Sequence, residues 1–187
     1  KKDQSDELVL RFRNRIIFPI LNYYDQYIGC GGRSVLNKAL AKYINSPETD
    51  FFKKGFNLYN LNNAKKESTN TENLILVEGY MDVVSLYNKG VKNVVATLGT
   101  AITISQINLA WKNFDKIILC FDGDQSGLSA SYRAAERVLK ILKPGKDIFF
   151  TTIPNSQDPD DFINQFGQNG FISLINQSSD LIEVIFN

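Results

Sequence analysis

Apolar runs of strand length alternate with helical patterns through the second half of the sequence, and this alternation limits the chain to few folds. The runs are LILV, VKNVVA, KIILCF and KDIFFTTIP, and stretches with apolar residues at helical spacing separate them. The runs are mostly continuous rather than alternating, so we expect both faces of each strand to be buried. The pattern predicts an α/β fold with a mainly parallel sheet flanked by helices.

The first 70 residues follow a different pattern, rich in strand signals and irregular loops. RFRNRIIFPI mixes basic and apolar residues before it turns apolar, and NYYDQYIGCGGR predicts a turn, a strand and a glycine-rich bend. Residues 62–73, NNAKKESTNTEN, contain no large apolar residue and predict an exposed connection. We therefore expect a smaller, β-rich α+β partial subdomain before the α/β unit.

Histidine is absent, and the two cysteines, Cys30 and Cys120, lie far apart in the sequence. The absence of histidine excludes Ser-His-Asp and Cys-His catalysis and HExxH zinc sites. Two distant cysteines indicate neither a disulfide scaffold nor a zinc site, which fits a reducing compartment such as the cytoplasm. No apolar run reaches the roughly 18 residues of a membrane span, so we expect no membrane contact.

The formal net charge of +1 conceals an uneven distribution. Residues 1–70 contain 12 Lys and Arg against 7 Asp and Glu, a difference of +5, whereas residues 71–187 contain 9 against 13, a difference of −4. A basic region beside an acidic region predicts a polyanionic partner together with a cation site. Ordinary scatter of surface charge is the alternative, and the positions of the charges have to decide between the two.

Carboxylates follow three of the predicted strands. Glu78 comes directly after LILV, and Asp122 and Asp124 come directly after KIILCF. Asp82 lies four residues beyond Glu78, so one helical turn would return it to the same side. The segment after the fourth strand adds Asp158, Asp160 and Asp161. Because parallel strands end at the same edge of a sheet, these side chains are expected to face one crevice.

Crowded carboxylates repel one another, and a bound divalent cation removes that repulsion. Without histidine or useful thiols the ligands are all oxygens, which select Mg²⁺, Mn²⁺ or Ca²⁺, and Mg²⁺ is usual in phosphoryl transfer. Structural roles are the alternative: Glu78 or Asp158 as helix caps, and the DGD segment as a turn. A receiver-type phosphoacceptor site also gathers aspartates, but it needs a lysine after a late strand, and the fourth strand here ends in TTIP.

Several motifs closely resemble the TOPRIM domain of bacterial DNA primases of the DnaG type. They are VEGYMDVVSLYNKGVKNVVATLGTAIT, FDGDQSG and DPDDFI, and upstream RFRNRIIFPI, IGCGGR, KYINSPET and FFKKGFNLYNL resemble the preceding segment of the same family. A glutamate followed by DxD also occurs in topoisomerases and some nucleases, whereas EGYMDV together with KYINSPET is far more specific. The resemblance covers nearly the whole chain. It implies part of a primase N-terminal subdomain at 1–70, the TOPRIM domain at 71–157 and a C-terminal extension at 158–187.

What the resemblance implies is a DNA-directed RNA polymerase, a nucleotidyltransferase that makes short RNA primers on single-stranded DNA during replication. The implied cofactor is Mg²⁺, for which Mn²⁺ can substitute, and the implied substrates are ribonucleoside triphosphates. The implied catalytic residues are Glu78, Asp82, Asp122 and Asp124. The implied metal ligands are Glu78, Asp122, Asp124, Asp158 and Asp160. The implied nucleic-acid and nucleotide-binding residues are Arg33, Lys42, Asn45, Lys54, Arg11 and Arg13.

The sequence departs from the family pattern at a few positions. The family often has DGDxAG where this chain has DGDQSG, and Ala41 precedes Lys42 where proline is common, which leaves the orientation of Lys42 open. No cysteine cluster for a zinc ribbon is present. We expect a central fragment of a larger primosome protein, which contacts the replicative helicase through regions absent from this chain.

Two other functions stay open on the sequence alone. The chain could be another TOPRIM enzyme, such as a nuclease or a topoisomerase part, or a non-catalytic nucleic-acid-binding module. A topoisomerase needs a catalytic tyrosine on another domain, and KYINSPET is not its motif. Shortening of single-stranded DNA in Mg²⁺ would indicate a nuclease. Unchanged metal affinity in an Asp122→Asn variant would indicate that the acids are structural.

Overall fold

The computed structural model describes residues 10–36, 39–67 and 73–186, which contain two sheets. The smaller sheet consists of β1 (Arg15–Leu21), β2 (Tyr27–Ser34) and β3 (Tyr43–Asn45). The three strands are antiparallel in the order β1-β2-β3. This sheet confirms that the first part of the chain is rich in strands.

The larger sheet has five strands. They are β4 (Asn73–Val77), β5 (Val94–Ala96), β6 (Lys116–Phe121), β7 (Asp147–Thr152) and β8 (Ser179–Asp180). Their order is β5-β4-β6-β7-β8, and only β8 is antiparallel to its neighbour. The chain passes outwards from β4 to β5 and then crosses back to β6, so the strand order reverses between β4 and β6. The predicted mainly parallel α/β sheet is confirmed.

Helices cover both faces of the larger sheet. They are α1 (Leu61–Glu67), α2 (Tyr80–Asn88), α3 (Ile104–Ala110), α4 (Gln125–Leu139), α5 (Pro159–Ile175) and α6 (Leu181–Phe186). A 3₁₀ turn occupies Lys54–Phe56, and α5 bends at Gly167, where φ is 69°. Within the described ranges, no helix combines the length and the apolar character that crossing a membrane requires.

Alternate side chains of the central strands face opposite cores, which explains the continuous apolar runs. Leu74 and Leu76 of β4 pack into a cluster with α3, α4 and α6, whereas Ile75 and Val77 pack into a second cluster with α2 and α5. All four of these side chains are buried. Burial on both faces fixes the register of β4 and β6, and with it the positions of the residues at their carboxyl ends.

A small aromatic core joins the two sheets. Tyr80 at the start of α2 stacks on Phe18 of β1, with ring centroids 5.0 Å apart, and meets Tyr59 edge-on at 4.8 Å. Ile20, Phe52 and Leu98 also belong to this cluster and are fully buried. The two sheets therefore share one apolar interface directly beside the carboxyl end of β4.

One local prediction was wrong. Residues 62–67 of the predicted exposed connection belong to the helix α1, because Leu61 and Ala64 anchor it in the core. Residues 68–72 of that connection lie outside the described residues.

Candidate metal and nucleic-acid site

The strand order places two acidic residues on either side of one crevice. Glu78 follows β4 directly and Asp122 follows β6 directly, and these two strands are parallel neighbours. The connections after them leave in opposite directions, because the strand order reverses there. In open α/β sheets such a reversal leaves a crevice at the carboxyl ends of the strands, where ligands bind.

Close backbone packing fixes the turn after β6. The Gly123 amide donates to the Gln157 carbonyl at 2.9 Å, which brings the segment before Asp158 alongside this turn. Asp124 begins α4 as its N-cap, since Oδ1 accepts from the Gly127 amide at 2.7 Å. Asp124 therefore starts α4, and the hydrogen bond of Gly123 holds the turn that carries Asp122.

A cleft of about 250 Å³ opens above these turns, and we call it the acidic cleft. One side carries carboxylates, namely Glu78, Asp82, Asp122, Asp158 and Asp160. The other side carries Arg33 of β2, Lys42 from the connection between β2 and β3, and Tyr43 of β3. The structure thus brings together five of the six acids that the sequence singled out as catalytic or metal-binding. Asp124 is not among the residues that line the cleft.

Desolvation and mutual repulsion make these acids reluctant to ionise. Burial raises the pKa of Asp82 to about 8, and the charges of Asp122 and Asp158 add to the rise. Burial also raises the pKa of Asp122 to about 7, and the charge of Glu78 adds to it. The pKa of Glu78 is raised by desolvation, which outweighs the hydrogen bond from the Asp122 backbone. A cation beside these groups would therefore relieve an unfavourable arrangement.

The side-chain oxygens of the acidic cleft are of the chemical type that binds a hard divalent cation. Oδ1 of Asp122 is buried and has no hydrogen-bond partner among the described residues, although a buried carboxylate oxygen ordinarily has one. The ionisable side chains opposite Arg33 and Lys42 in the acidic cleft are all carboxylates, which are the ligands that Mg²⁺ and Mn²⁺ prefer. Among residues 10–36, 39–67 and 73–186, however, no three acidic or thiol groups have the arrangement of a formed metal site.

We expect the cation-free protein to lose stability as the pH rises from about 5 to about 8. Asp82 has a pKa of 3.8 without its folded environment and about 8 within it, so the folded state holds the extra proton over this interval. The free energy of unfolding should fall by at least about 1.4 kcal/mol, the equivalent of one pKa unit. Urea denaturation in EDTA at both pH values measures the change. Asp82→Asn should flatten the dependence, and an equally steep profile in that variant would contradict the assignment.

Two further acids are held by neighbouring side chains or amides. Asp158 is the N-cap of α5, where Oδ1 accepts from the Asp161 amide at 2.8 Å, so the predicted capping role is real. Oδ1 of Asp160 accepts from the Ser85 hydroxyl at 2.5 Å and from Asn164 at 2.8 Å. Ser85 was not among the residues predicted from the sequence. Its signal is its position three residues beyond Asp82 on the same helix.

The basic residues predicted to bind nucleic acid differ in what they contact. Arg33 and Lys42 line the acidic cleft, and the Nε of Arg33 is buried without a partner among the described atoms. Arg11 donates to the Asn45 carbonyl at 2.9 and 3.1 Å, whereas Arg13 is exposed. These two arginines and Lys54 do not line the acidic cleft.

Lys54 and Asn45 lie at the contact between the two sheets. The Lys54 carbonyl accepts from Gln106 of α3 at 3.0 Å. Asn45 donates from Nδ2 to the Leu98 carbonyl at 2.8 Å and accepts from the Tyr80 hydroxyl at 2.6 Å. The Asn45 amide therefore uses one donor and its oxygen in holding β3 against the larger sheet.

We expect Asn45→Ala to lower the free energy of unfolding by about 2 kcal/mol or more, since it leaves the buried Leu98 carbonyl and Tyr80 hydroxyl without partners. Urea denaturation would measure the loss. Asn88→Ala is a matched control, because Asn88 is exposed at the end of α2. Equal stability of the two variants would show that Asn45 does not hold the sheets together.

Comparisons with known proteins match both parts of the chain to domains of the same family of proteins. Residues 1–65 match the family "DNA primase catalytic core, N-terminal domain", and residues 72–151 match the family "Toprim domain". The DNA primase of Legionella pneumophila is 42% identical over 186 residues, which is 100% of this chain and 32% of that protein. The chain thus spans about a third of the length of this curated relative.

Solved structures show the same similarity in three dimensions. A DNA primase domain from Pseudomonas aeruginosa matches with a TM-score of 0.92 and 39% identity, over 98% of this chain and 57% of the other. A DnaG primase catalytic domain bound to single-stranded DNA matches with a TM-score of 0.89 and 39% identity, over 95% of this chain and 57% of the other. The chain therefore belongs to the bacterial DNA primase family of the DnaG type, and it corresponds to the part of the catalytic core that contains the Toprim domain.

Proposed function

We propose that this chain carries the catalytic site of a DNA primase, which joins ribonucleotides into short RNA primers on single-stranded DNA during replication. The observation that carries the proposal is the acidic cleft, where five carboxylates face Arg33 and Lys42 at the reversal of strand order. Membership of the primase family supports the same assignment. No comparable support favours the nuclease, topoisomerase or non-catalytic alternatives.

The proposed reaction is a displacement at phosphorus. The 3′-hydroxyl oxygen of one ribonucleotide bonds to the α-phosphorus of a ribonucleoside triphosphate. The bond from that phosphorus to the oxygen it shares with the β-phosphorus breaks, pyrophosphate leaves, and the hydroxyl proton passes to solvent. Neither histidine nor a free thiol is required, in keeping with a sequence that has no histidine.

The carboxylates would hold Mg²⁺, for which Mn²⁺ can substitute, and proteins of this family depend on metal ions in general. When bound, the cation neutralises phosphate charge and lowers the pKa of the attacking hydroxyl. We assign this role to Glu78, Asp122, Asp124, Asp158 and Asp160, with Asp82 as a further catalytic acid.

Arg33 and Lys42 are in position to bind the triphosphate, because they face the carboxylates across the acidic cleft. Charge-assisted hydrogen bonds from their side chains to phosphate oxygens are the strong kind. We assign the template backbone to Arg11, Arg13 and Lys54, with Asn45 nearby, and a similar primase domain is known bound to single-stranded DNA. Phosphate contacts of this kind make affinity fall with salt and carry little sequence information.

We also propose the division of the chain into 1–70, 71–157 and 158–187 as a basic template-binding region, the TOPRIM domain and a C-terminal extension that supplies Asp158 and Asp160. The protein would act in the cytoplasm as part of the primosome. Contact with the replicative helicase would use other parts of the longer protein, since relatives such as the Legionella primase are about three times as long.

A chimera tests the function directly. This chain replaces the matching segment of the Legionella pneumophila primase, and labelled ribonucleotides are supplied with single-stranded DNA and Mg²⁺. We expect short RNA products, none with Asp122→Asn, and normal amounts with Asp147→Asn, a control aspartate that is exposed at the start of β7. Degradation of the DNA instead of RNA synthesis would replace the proposal by a nuclease. A folded, DNA-binding chimera without products would contradict it.

A further inference from the structure

A second pocket adjoins the acidic cleft on the other side of Glu78. It has a volume of about 280 Å³ and lies between loop 97–102, which follows β5, and the helix α4, so we call it the α4 pocket. Its floor is formed by the carboxyl ends of β4 and β6. The α4 pocket therefore occupies the same reversal of strand order as the acidic cleft, which is where ligands bind in sheets of this kind.

The lining of the α4 pocket combines an apolar surface with hydroxyls and cations. Ile102, Phe121 and Ala134 contribute apolar surface, and Thr97 and Thr100 contribute hydroxyls. A flat apolar body that carries polar edges and a negative charge matches this combination, because apolar walls with a few well-placed polar groups are typical of small-ligand sites.

The two arginines of the α4 pocket play different parts. Arg137 donates from Nη1 to the Ile102 carbonyl at 2.7 Å and so ties the loop to α4. Arg133, one turn earlier, lines the same pocket, and its charge opposes the rise in the pKa of Glu78, but it makes no hydrogen bond or salt bridge with any described residue. The hydrogen-bond donors of Arg133 thus remain available for a ligand, and phosphate is an anion that a guanidinium binds well.

The size of the α4 pocket limits the ligand. The volume of about 280 Å³ lies just below the range of about 300 Å³ and upwards that is usual for small-ligand sites, so one nucleotide is the largest ligand that the α4 pocket could hold. Glu78 lines both the α4 pocket and the acidic cleft. A nucleotide in the α4 pocket would therefore lie beside the proposed site of phosphoryl transfer.

We propose that the α4 pocket binds the nucleotide that provides the attacking 3′-hydroxyl, with its base on the apolar surface and its phosphate on Arg133. This inference rests on the proposed function and adds a second nucleotide site to it. The ligand is either a free nucleotide at the first step of synthesis or the 3′-terminal nucleotide of a primer, and both present the same chemistry to the α4 pocket.

Titration of the ¹⁵N-labelled chain with guanosine 5′-monophosphate in EDTA tests the proposal by NMR. EDTA removes any cation, so binding that depends on the acidic cleft is suppressed while binding by Arg133 remains. We expect saturable shifts confined to loop 97–102 and α4. Arg133→Ala should weaken binding by about tenfold or more, the usual value of a charge-assisted hydrogen bond.

Two more variants separate charge from volume. Lys140→Ala removes an exposed cation from the end of the same helix, outside the α4 pocket, and should leave the affinity unchanged. Ala130→Leu keeps Arg133 but fills space in the α4 pocket, so it should also weaken binding. Absence of saturable shifts in the wild type, or equal affinity in Arg133→Ala, would overturn the proposal.

Comparison of ligands and cations completes the test. A diribonucleotide with a 5′-phosphate that binds more tightly than the monophosphate would identify the primer end as the ligand, and equal binding would identify the free nucleotide. Mn²⁺ affinity is measured on the same sample. Intact Mn²⁺ binding without nucleotide binding in EDTA would refute the second site and leave the proposed function standing.

Discussion

Asp122→Asn is expected to weaken Mn²⁺ binding by at least about 100-fold without destabilising the protein. Loss of a residue that merely orients a metal ligand already costs about 10- to 100-fold, and Asp122 is assigned as a ligand itself. Its pKa is raised to about 7 by burial and by the charge of Glu78, so removal of the charge relieves repulsion in the cation-free state. The free energy of unfolding in EDTA should therefore stay the same or increase.

Electron paramagnetic resonance of free Mn²⁺ gives the affinity, and urea denaturation gives the stability. Asp147→Asn is the matched control, since Asp147 is exposed at the opposite end of the parallel strands. An Asp122→Asn variant that keeps wild-type Mn²⁺ affinity would show that the acids are structural, and the catalytic assignment would then have to be withdrawn.

Gly127→Ala is expected to destabilise the protein by more than about 3 kcal/mol, above the usual range for overpacking. A Cβ at Gly127 would lie 2.1 Å from the Asp122 carbonyl oxygen and 2.8 Å from its carbon. Both are backbone atoms, so no side-chain rotation can relieve the contact. The Asp122 backbone has to move, and we expect the variant to lose Mn²⁺ binding together with stability.

Ser126→Ala serves as the control for Gly127→Ala, because Ser126 is exposed in the same turn of α4. It should change the free energy of unfolding by less than about 0.5 kcal/mol, as is usual for surface positions. A Gly127→Ala protein as stable as this control would mean that the approach of α4 to Asp122 is looser than described.

The acidic residues could be predicted from the sequence because they depend on a short-range rule. Glu78 and Asp122 directly follow apolar strands, and buried parallel strands end at one edge. Asp82 was predicted from a helical turn that includes Glu78, but Glu78 lies outside α2, and Asp82 is instead held at the helix start, where its Oδ2 accepts from the Gly79 amide at 2.9 Å. Each of these predictions needs only a strand and the few residues after it. The carboxylate side of the acidic cleft could therefore be predicted from the sequence.

The contacts made over long sequence separations could not be predicted. Asn45 bonds to Leu98, 53 residues away, and Arg137 bonds to Ile102, 35 residues away. Helix α1 was missed for the same reason, since its polar sequence forms a helix only because Leu61 and Ala64 pack into the core of the larger sheet. Tertiary packing overrides local composition in such segments.

Tyr80 has a consequence for how the protein accommodates its ligands. The residue directly follows the Glu78-Gly79 turn, its ring fills the space that a side chain at Gly31 would need, and its hydroxyl bonds to Asn45 of the smaller sheet. One rigid ring thus sets the distance between the basic and the carboxylate sides. The gap is preset by a residue that does not line the acidic cleft, so a ligand bound there would meet a preorganised spacing, and adjustment would be left to the long arginine and lysine side chains.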